Sequence, residues 1–345
     1  MPEPATAADQ RQPTMADVAR VAEVSTATVS YYLSGRSELR KRIGPDAQLR
    51  IKDAVRALGY VQNKVARQLR LQRTERICVL LPKLGIPFAD KMAQDIDTAA
   101  RRRGYSSIVV AGQSFDDWQR VLRDVDAGLA DGIFADADPF TEAELTELFG
   151  SIGRVGKPSL ILHATAAPTL FSVMNHGRTE ALRLALDHLR STGRRHFAYV
   201  ENQTPRANPR AALVRDYAAA HPGEMELVAL VEGASSRAAA ADATRALMAL
   251  ERPPTAILVE SDFTAVTVIE ELQRLGRTVP DDVAVIGCGN AEEGYYCNPR
   301  LTTIGPTSMS LTIAADHLID LIENRADVQQ RRFVVPWTFY RRESA

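Results

Sequence analysis

"TMADVARVAEVSTATVSYYLSG", residues 14–35, holds two short apolar-faced segments with a polar, hydroxyl-rich joint between them. Thr14 followed by Asp17 has capping-box spacing, with Asp in place of the usual Glu, and Met15, Val18, Ala19 and Ala22 then share one helical face. Ser25 is placed to cap a second helix whose Val29 and Leu33 point inward, with Thr26, Ala27, Ser30 and Tyr31 on its other faces. Ser34 and Gly35 stop it. A basic, irregular stretch, "RSELRKRIGP", leads to a third helix from about Pro45, with Leu49, Ile51, Val55 and Leu58 apolar and Gly59 as its end. Two short helices, a tight turn and a third helix behind them make a helix-turn-helix, whose second helix enters the DNA major groove. Hydroxyls at Ser25, Thr26, Thr28 and Ser30 suit phosphate oxygens, and the small Ala27 permits close approach to base edges. A helical hairpin with no nucleic-acid role would share the pattern.

Charge separates this segment from the rest. Residues 1–76 carry 14 Lys/Arg against 8 Asp/Glu, and the remainder 28 against 35, so a cationic head precedes an acidic body. Cys78, Cys288 and Cys297 are far apart with no CxxC, which argues against a disulfide framework or a cysteine metal site. No cofactor or metal is expected. The N-terminal "MPEPATAADQRQP" (1–13) reads as a disordered lead-in, not a signal peptide, and no apolar run is long enough to span a membrane. A cytoplasmic protein with no membrane partner is expected.

From Arg76 the rhythm alternates strand and helix. "RICVLLP", "SSIVVAG", "DGIFAD", "PSLILHA", "HFAYVEN", "TAILVES" and "VAVIGCG" are strand runs separated by amphipathic segments. Such βα units predict parallel sheets covered by helices, and about ten strands predict two doubly wound subdomains. There is no GxSxG, GxxxxGK[ST] or HExxH, and no GxGxxG after the first strand, which argues against an α/β enzyme carrying a helical head.

The sequence resembles the LacI/GalR (lactose-repressor) family from Thr14 to Arg342. "DVARVAEVSTATVSYYLSG" is similar to the family's recognition motif and "ALGYVQNKVARQLR", 57–70, to its hinge segment. Further matches are "PF" at 87–88, "DGI" at 131–133, "HL" at 188–189, "VPDDVAVIGCGN" from 279, "PRLTTI" from 299 and "VVPWTFYRR" at 334–342. The resemblance implies a DNA-binding head over 14–62, a hinge helix over 63–75, and a two-lobed effector-sensing and dimerisation body of periplasmic-binding-protein type over 76–345. It implies a repressor working as a homodimer on a near-palindromic double-stranded operator, under control of a small molecule held between the lobes. Thr14, Ser25, Thr26, Ala27, Thr28, Ser30 and Tyr31 then face DNA with Asn63, Ala66, Arg67, Leu69 and Arg70 of the hinge. Leu69 is the implied minor-groove wedge.

Departures from the family refine these expectations. Glu23 stands where a turn glycine is usual, so it must accept a left-handed backbone or shift the turn. Tyr31 replaces a frequent arginine, and a phenol cannot make the bidentate guanine contact of a guanidinium. Arg40, Lys41 and Arg42 are either extra phosphate contacts or a solvated insertion. For the effector, the resemblance points to Phe88, His163, Arg210, Ser261, Asp262 and Asn290. Phe88 and His163 read equally well as packed core residues, and Asp262 as a helix cap. Gly289 and His163 replace two carboxylates, so a sugar-derived or anionic metabolite, the anion held by Arg210 and His163, is expected in place of a plain neutral sugar. The alternative is a regulator that has lost small-molecule control or answers to a partner protein.

Overall fold

β-branched and aliphatic runs beside amphipathic helices build two parallel sheets with a core on each face. The computed structural model describes residues 13–33, 37–61, 73–85, 87–112, 114–138, 140–164, 166–202, 209–307, 311–324 and 329–345. Residues Met1–Arg73 and Thr74–Ala345 form separate compact units. The lead-in, Ser34, Gly35 and the hinge residues Asn63, Ala66, Arg67, Leu69 and Arg70 lie outside the described residues.

In the first unit, α1 (Met15–Val21), α2 (Thr26–Leu33), α3 (Ser37–Arg40) and α4 (Pro45–Leu58) surround a small core of Val18, Ala22, Val29, Ile43, Ile51 and Ala54. Thr14 and Asp17 form the reciprocal capping box. Glu23 takes the left-handed conformation, φ 53°, so the turn keeps its shape without glycine. Arg50 Nε donates to Ala22 O at 3.0 Å and ties α4 to the same turn. Two expectations are corrected. The basic stretch after α2 is not wholly irregular, because α3 forms within it, and Leu49 is 58% exposed, on the outer face of α4.

The second unit holds two sheets. The first has the order β11-β5-β4-β3-β1-β2, from β1 (Arg76–Leu81), β2 (Ser106–Ala111), β3 (Gly132–Asp136), β4 (Ser159–Leu162), β5 (Ser172–His176) and β11 (Arg332–Val335). The second has the order β12-β10-β9-β8-β6-β7, from β6 (His196–Val200), β7 (Glu226–Val231), β8 (Ala256–Val259), β9 (Ala284–Cys288), β10 (Thr302–Pro306) and β12 (Trp337–Tyr340). Among the described strands, only β12 runs antiparallel. Alternate residues of one strand serve opposite cores. Ile77, Val79 and Leu81 pack beneath α5 (Pro87–Arg102) and α13 (Thr312–Ile322), while Cys78 and Leu80 meet Trp118 and Leu122 of α6 (Phe115–Asp126) and Leu148 of α7 (Glu142–Val155). The second sheet is flanked by α8 (Arg178–Ser191) and α9 (Pro209–Ala220) on one face. Its other face packs on α10 (Arg237–Met248) and α11 (Asp262–Arg274), with α12 (Glu293–Tyr296) in the loop after β9.

The chain passes between the sheets after β5, after β10, and between β11 and β12. These passages lie side by side: Gly177 N–H donates to Val335 O at 3.0 Å and Thr307 N–H to Pro336 O at 2.9 Å. A Cβ on Gly177 would come within 3.1 Å of the Trp337 backbone nitrogen, so this close approach favours glycine.

Glu23→Gly should raise the urea midpoint of the head's transition, because relief of the left-handed backbone outweighs the added freedom of the unfolded chain, a gain of up to about 1 kcal/mol. An unchanged or lower midpoint would show that Glu23 is not strained.

Candidate functional site

The first candidate surface is α2. Ser25 Oγ accepts from Thr28 N–H at 3.1 Å and lies 2.8 Å from Thr28 Oγ1, so these hydroxyls start the helix locally. Val29 is fully buried and anchors the inner face, and Ser25, Thr26, Ala27 and Tyr31 are exposed around it, with Thr28 and Ser30 half-buried. Arg40 is committed to the fold: its Nη2 donates to Tyr32 Oη at 3.1 Å, its Nε to Gln48 Oε1 at 3.2 Å, and its guanidinium lies 4.5 Å from the Tyr32 ring centroid. Lys41 pairs with Glu38 at 2.9 Å.

The second is a cleft of about 1340 Å³ in the body, lined from both lobes by Phe88, Asp136, Asp138 and Arg178 on one side and Arg210, Glu260, Ser261, Asp262 and Asn290 on the other. Lys83 Nζ reaches Ser235 O at 3.5 Å across it. Arg210, from α9, pairs with Glu260 at the end of β8, and both side chains are largely buried. Burial works against the Arg210 cation, but the acidic groups around it, Glu260 first and Asp138 among them, together outweigh it and keep the guanidinium charged. Glu260 Oε2 also accepts from Asn202 N–H at 2.9 Å. Ser261 precedes α11 and its side chain makes no cap bond.

Asp262 does not cap α11 in the expected way. Its Oδ1 accepts from Thr303 Oγ1 and its Oδ2 from Ala291 N–H, each at 2.6 Å, so it holds the loop after β9. Any side chain at Gly287 would collide with Oδ1, so this carboxyl needs glycine on the neighbouring strand. Burial raises its pKa to about 6, and the two hydrogen bonds limit the rise. Asn290, in the left-handed conformation, accepts from Arg342 Nη2, whose guanidinium lies over Tyr295.

Opposite, His176 and Asp138 form a short, buried hydrogen bond. Burial keeps His176 neutral against the pull of Asp138, so Nε2 carries the proton and donates it. Burial alone would raise Asp138, but His176 and Arg178 outweigh it and hold this carboxyl below its ordinary range. Asp136 is pushed the other way, up to about 7, by burial and then by the charge of Asp138. The pair therefore splits into one carboxylate and one group able to carry a proton near neutrality.

His163 is a correction. It does not line the cleft; its Nδ1 accepts from Ala166 N–H at 3.1 Å, and burial lowers its pKa, so it is no cation at neutral pH. Positions 163 and 289 lack carboxylates as expected, but other acids line the cleft. A Cβ on Gly289 would lie 3.7 Å from Asp262 Oδ2, so an acid stands behind that position, and Asp136, Asp138 and Glu260 also line the cleft. Sequence reasoning missed Asp136, Asp138, Arg178, Glu260 and Trp337, because only the crossing of chain segments between lobes brings them to one cleft.

The pattern for bacterial regulatory proteins of the lacI family matches residues 14–63, and that for a periplasmic binding protein-like domain matches residues 186–345. Catabolite control protein A of Priestia megaterium is 26% identical over 335 residues, which cover 96% of this chain and 98% of that protein. The HTH-type transcriptional repressor PurR of Aliivibrio fischeri is 26% identical over 328 residues, covering 93% and 94%. Among solved structures, the lac repressor dimer bound to operator and the anti-inducer ONPF superposes with a TM-score of 0.79 at 21% identity, covering 97% of this chain and 99% of that one. The transcriptional regulator CelR with cellobiose gives 0.66 at 22% identity, covering 96% and 100%.

Because the folded value for Asp262, about 6, lies above the ordinary 3.8, the folded protein keeps a proton that the unfolded chain releases. The stability this group contributes therefore falls as pH rises from about 4 to about 6. Asp262→Asn loses the acceptor for Ala291 N–H and should cost about 1 kcal/mol at the acid end of that window. The deficit relative to the parent should narrow as pH rises; a constant deficit in denaturation curves would contradict the raised pKa.

Proposed function

We propose that the chain, whose residues 14–63 match the pattern for bacterial regulatory proteins of the lacI family, is a DNA-binding transcriptional regulator with two working sites. The protein is a repressor whose operator affinity is set by a small molecule in the cleft between the lobes. The observation that carries this reading is the cleft itself, walled by two lobes that meet at adjacent chain crossings and lined by Arg210, Glu260, Asp136 and Asp262. A ligand that favours one arrangement of the lobes shifts the population of the DNA-binding state by its difference in affinity for the two.

At the head, α2 lies in the major groove, with Thr14, Ser25, Thr26, Thr28 and Ser30 on phosphates and Ala27 and Tyr31 at base edges. This assignment is supported by the exposure of Ser25, Thr26, Ala27 and Tyr31 around buried Val29. Asn63, Ala66, Arg67, Leu69 and Arg70 continue the interface in the minor groove, Leu69 as the apolar wedge and the arginines on phosphates. Two heads on a homodimer read a near-palindrome.

The effector contacts are Phe88, Arg210, Ser261 and the loop held by Asp262 and Asn290. Paired arginine and carboxylate groups offer donors and acceptors together, which suits a hydroxyl-bearing metabolite. Operator affinity measured at fixed salt with and without a panel of small metabolites tests this: a ligand should change Kd by about fivefold or more. Uniform affinity across the panel would sink the cleft as a control site.

Tyr31→Arg should move base preference toward guanine at the contacted position, by about 1–3 kcal/mol of discrimination. If selected half-sites stay unchanged, Tyr31 does not read bases.

A further inference from the structure

Arg178 opens α8, and its side chain is 13% exposed where it lines the cleft. Its guanidinium carbon lies 4.7 Å from the Trp337 ring centroid and 5.5 Å from that of Phe88, so two aromatic faces fix its position. The group carries five N–H donors. Nη1 stands 3.6 Å from Asp138 Oδ2, beyond hydrogen-bond reach, and Nε is buried with no partner among the described residues. Asp138 is already engaged by His176.

Two neighbours share this condition. Among the described residues, Trp337 Nε1 is a buried donor without a partner, and His176 Nδ1, left as an acceptor by the bond from Nε2, is a buried acceptor without one. The Trp337 ring lies 6.0 Å from the His176 ring, so the three groups form one cluster. Buried polar groups are nearly always satisfied. Arg178 and Trp337 line the cleft with His176 behind them, and unmet donors at a cleft wall mark groups that a ligand completes. The start of α8 adds to it, since its N-cap is Gly177 and no side chain caps the first-turn amides.

We propose that Arg178 receives a carboxylate of the effector, and that the effector is a polyhydroxylated monocarboxylate, a sugar acid. The proposal rests on the cleft reading above and names the ligand class. The planar fork of a guanidinium matches a carboxylate through two parallel hydrogen bonds. A hydroxyl beside that carboxylate can accept from Trp337 Nε1, while further hydroxyls meet Arg210, Glu260 and Ser261, all of which line the cleft. A phosphate ester would set twice the charge beside Asp138 and Asp136. A neutral sugar would offer the Arg178 fork no bidentate acceptor, leaving it only the Asp138 carboxylate at 3.6 Å.

Calorimetric titration of the full-length protein with D-gluconate, D-glucuronate and D-galacturonate, against D-glucose, D-galactose and glucose 6-phosphate, tests the proposal. At least one acid should bind about tenfold or more tightly than the neutral sugars and the phosphate. Arg178→Gln should abolish that preference, and Arg178→Lys, which keeps the charge without the fork, should retain part of it. Trp337→Phe keeps an aromatic face, removes one donor and should weaken binding of the acid. Equal or tighter binding of a neutral sugar or the phosphate, absence of binding by every acid, or an undiminished preference in Arg178→Gln overturns it. Binding of a neutral sugar would leave the cleft reading standing, whereas operator affinity indifferent to every small molecule would remove both.

Discussion

The body of this protein depends on the place where its chain crosses from one lobe to the other. Gly177, Thr307 and Pro336 run side by side, joined by backbone hydrogen bonds, with Trp337 packed against the first of them. Two independently cored sheets joined in this way can alter their separation through small dihedral changes at the crossings, without disturbing either core. The cleft opens beside that junction, so what binds there acts on the element that sets lobe geometry. Phe88, Arg178 and Trp337 belong to both the cleft lining and the packed junction.

Electrostatics gives the cleft its chemical character. Burying charges costs several kcal/mol per ion unless partners compensate. Here compensation is uneven: Arg210 and Glu260 are matched, His176 takes Asp138, Asp136 relaxes by holding a proton up to about 7, and Arg178, 3.6 Å from Asp138, keeps a buried Nε with no partner among the described residues. A scaffold selected for stability alone would replace such groups with apolar packing. Their retention around one cleft is the pattern expected where a polar ligand supplies the missing partners.

Much of this was legible in the sequence because it is local. The capping box at Thr14, the hydroxyls at the start of α2, the inward Val29 and the alternation of strand and helix follow from periods of 3.6 and 2. Glu23 was legible as a problem, and its φ of 53° is the outcome. β5, β10, β11 and β12 were harder: they are short, flank the crossings, and are defined by which lobe they join more than by composition. The effector site was least legible. His163 looked like a ligand from its position after β4, yet it closes its own loop, and the acid beside Gly289 is Asp262 of α11, which holds the loop after β9. Only tertiary structure shows such substitutions of one segment for another.

The most direct measurement is selection of genomic DNA fragments by the purified protein at near-physiological salt, followed by sequencing of what is retained. The account predicts a compact, near-palindromic site whose two halves are related by the two-fold symmetry of a dimer. Retention that depends on salt alone, with no shared sequence among the fragments, would contradict it.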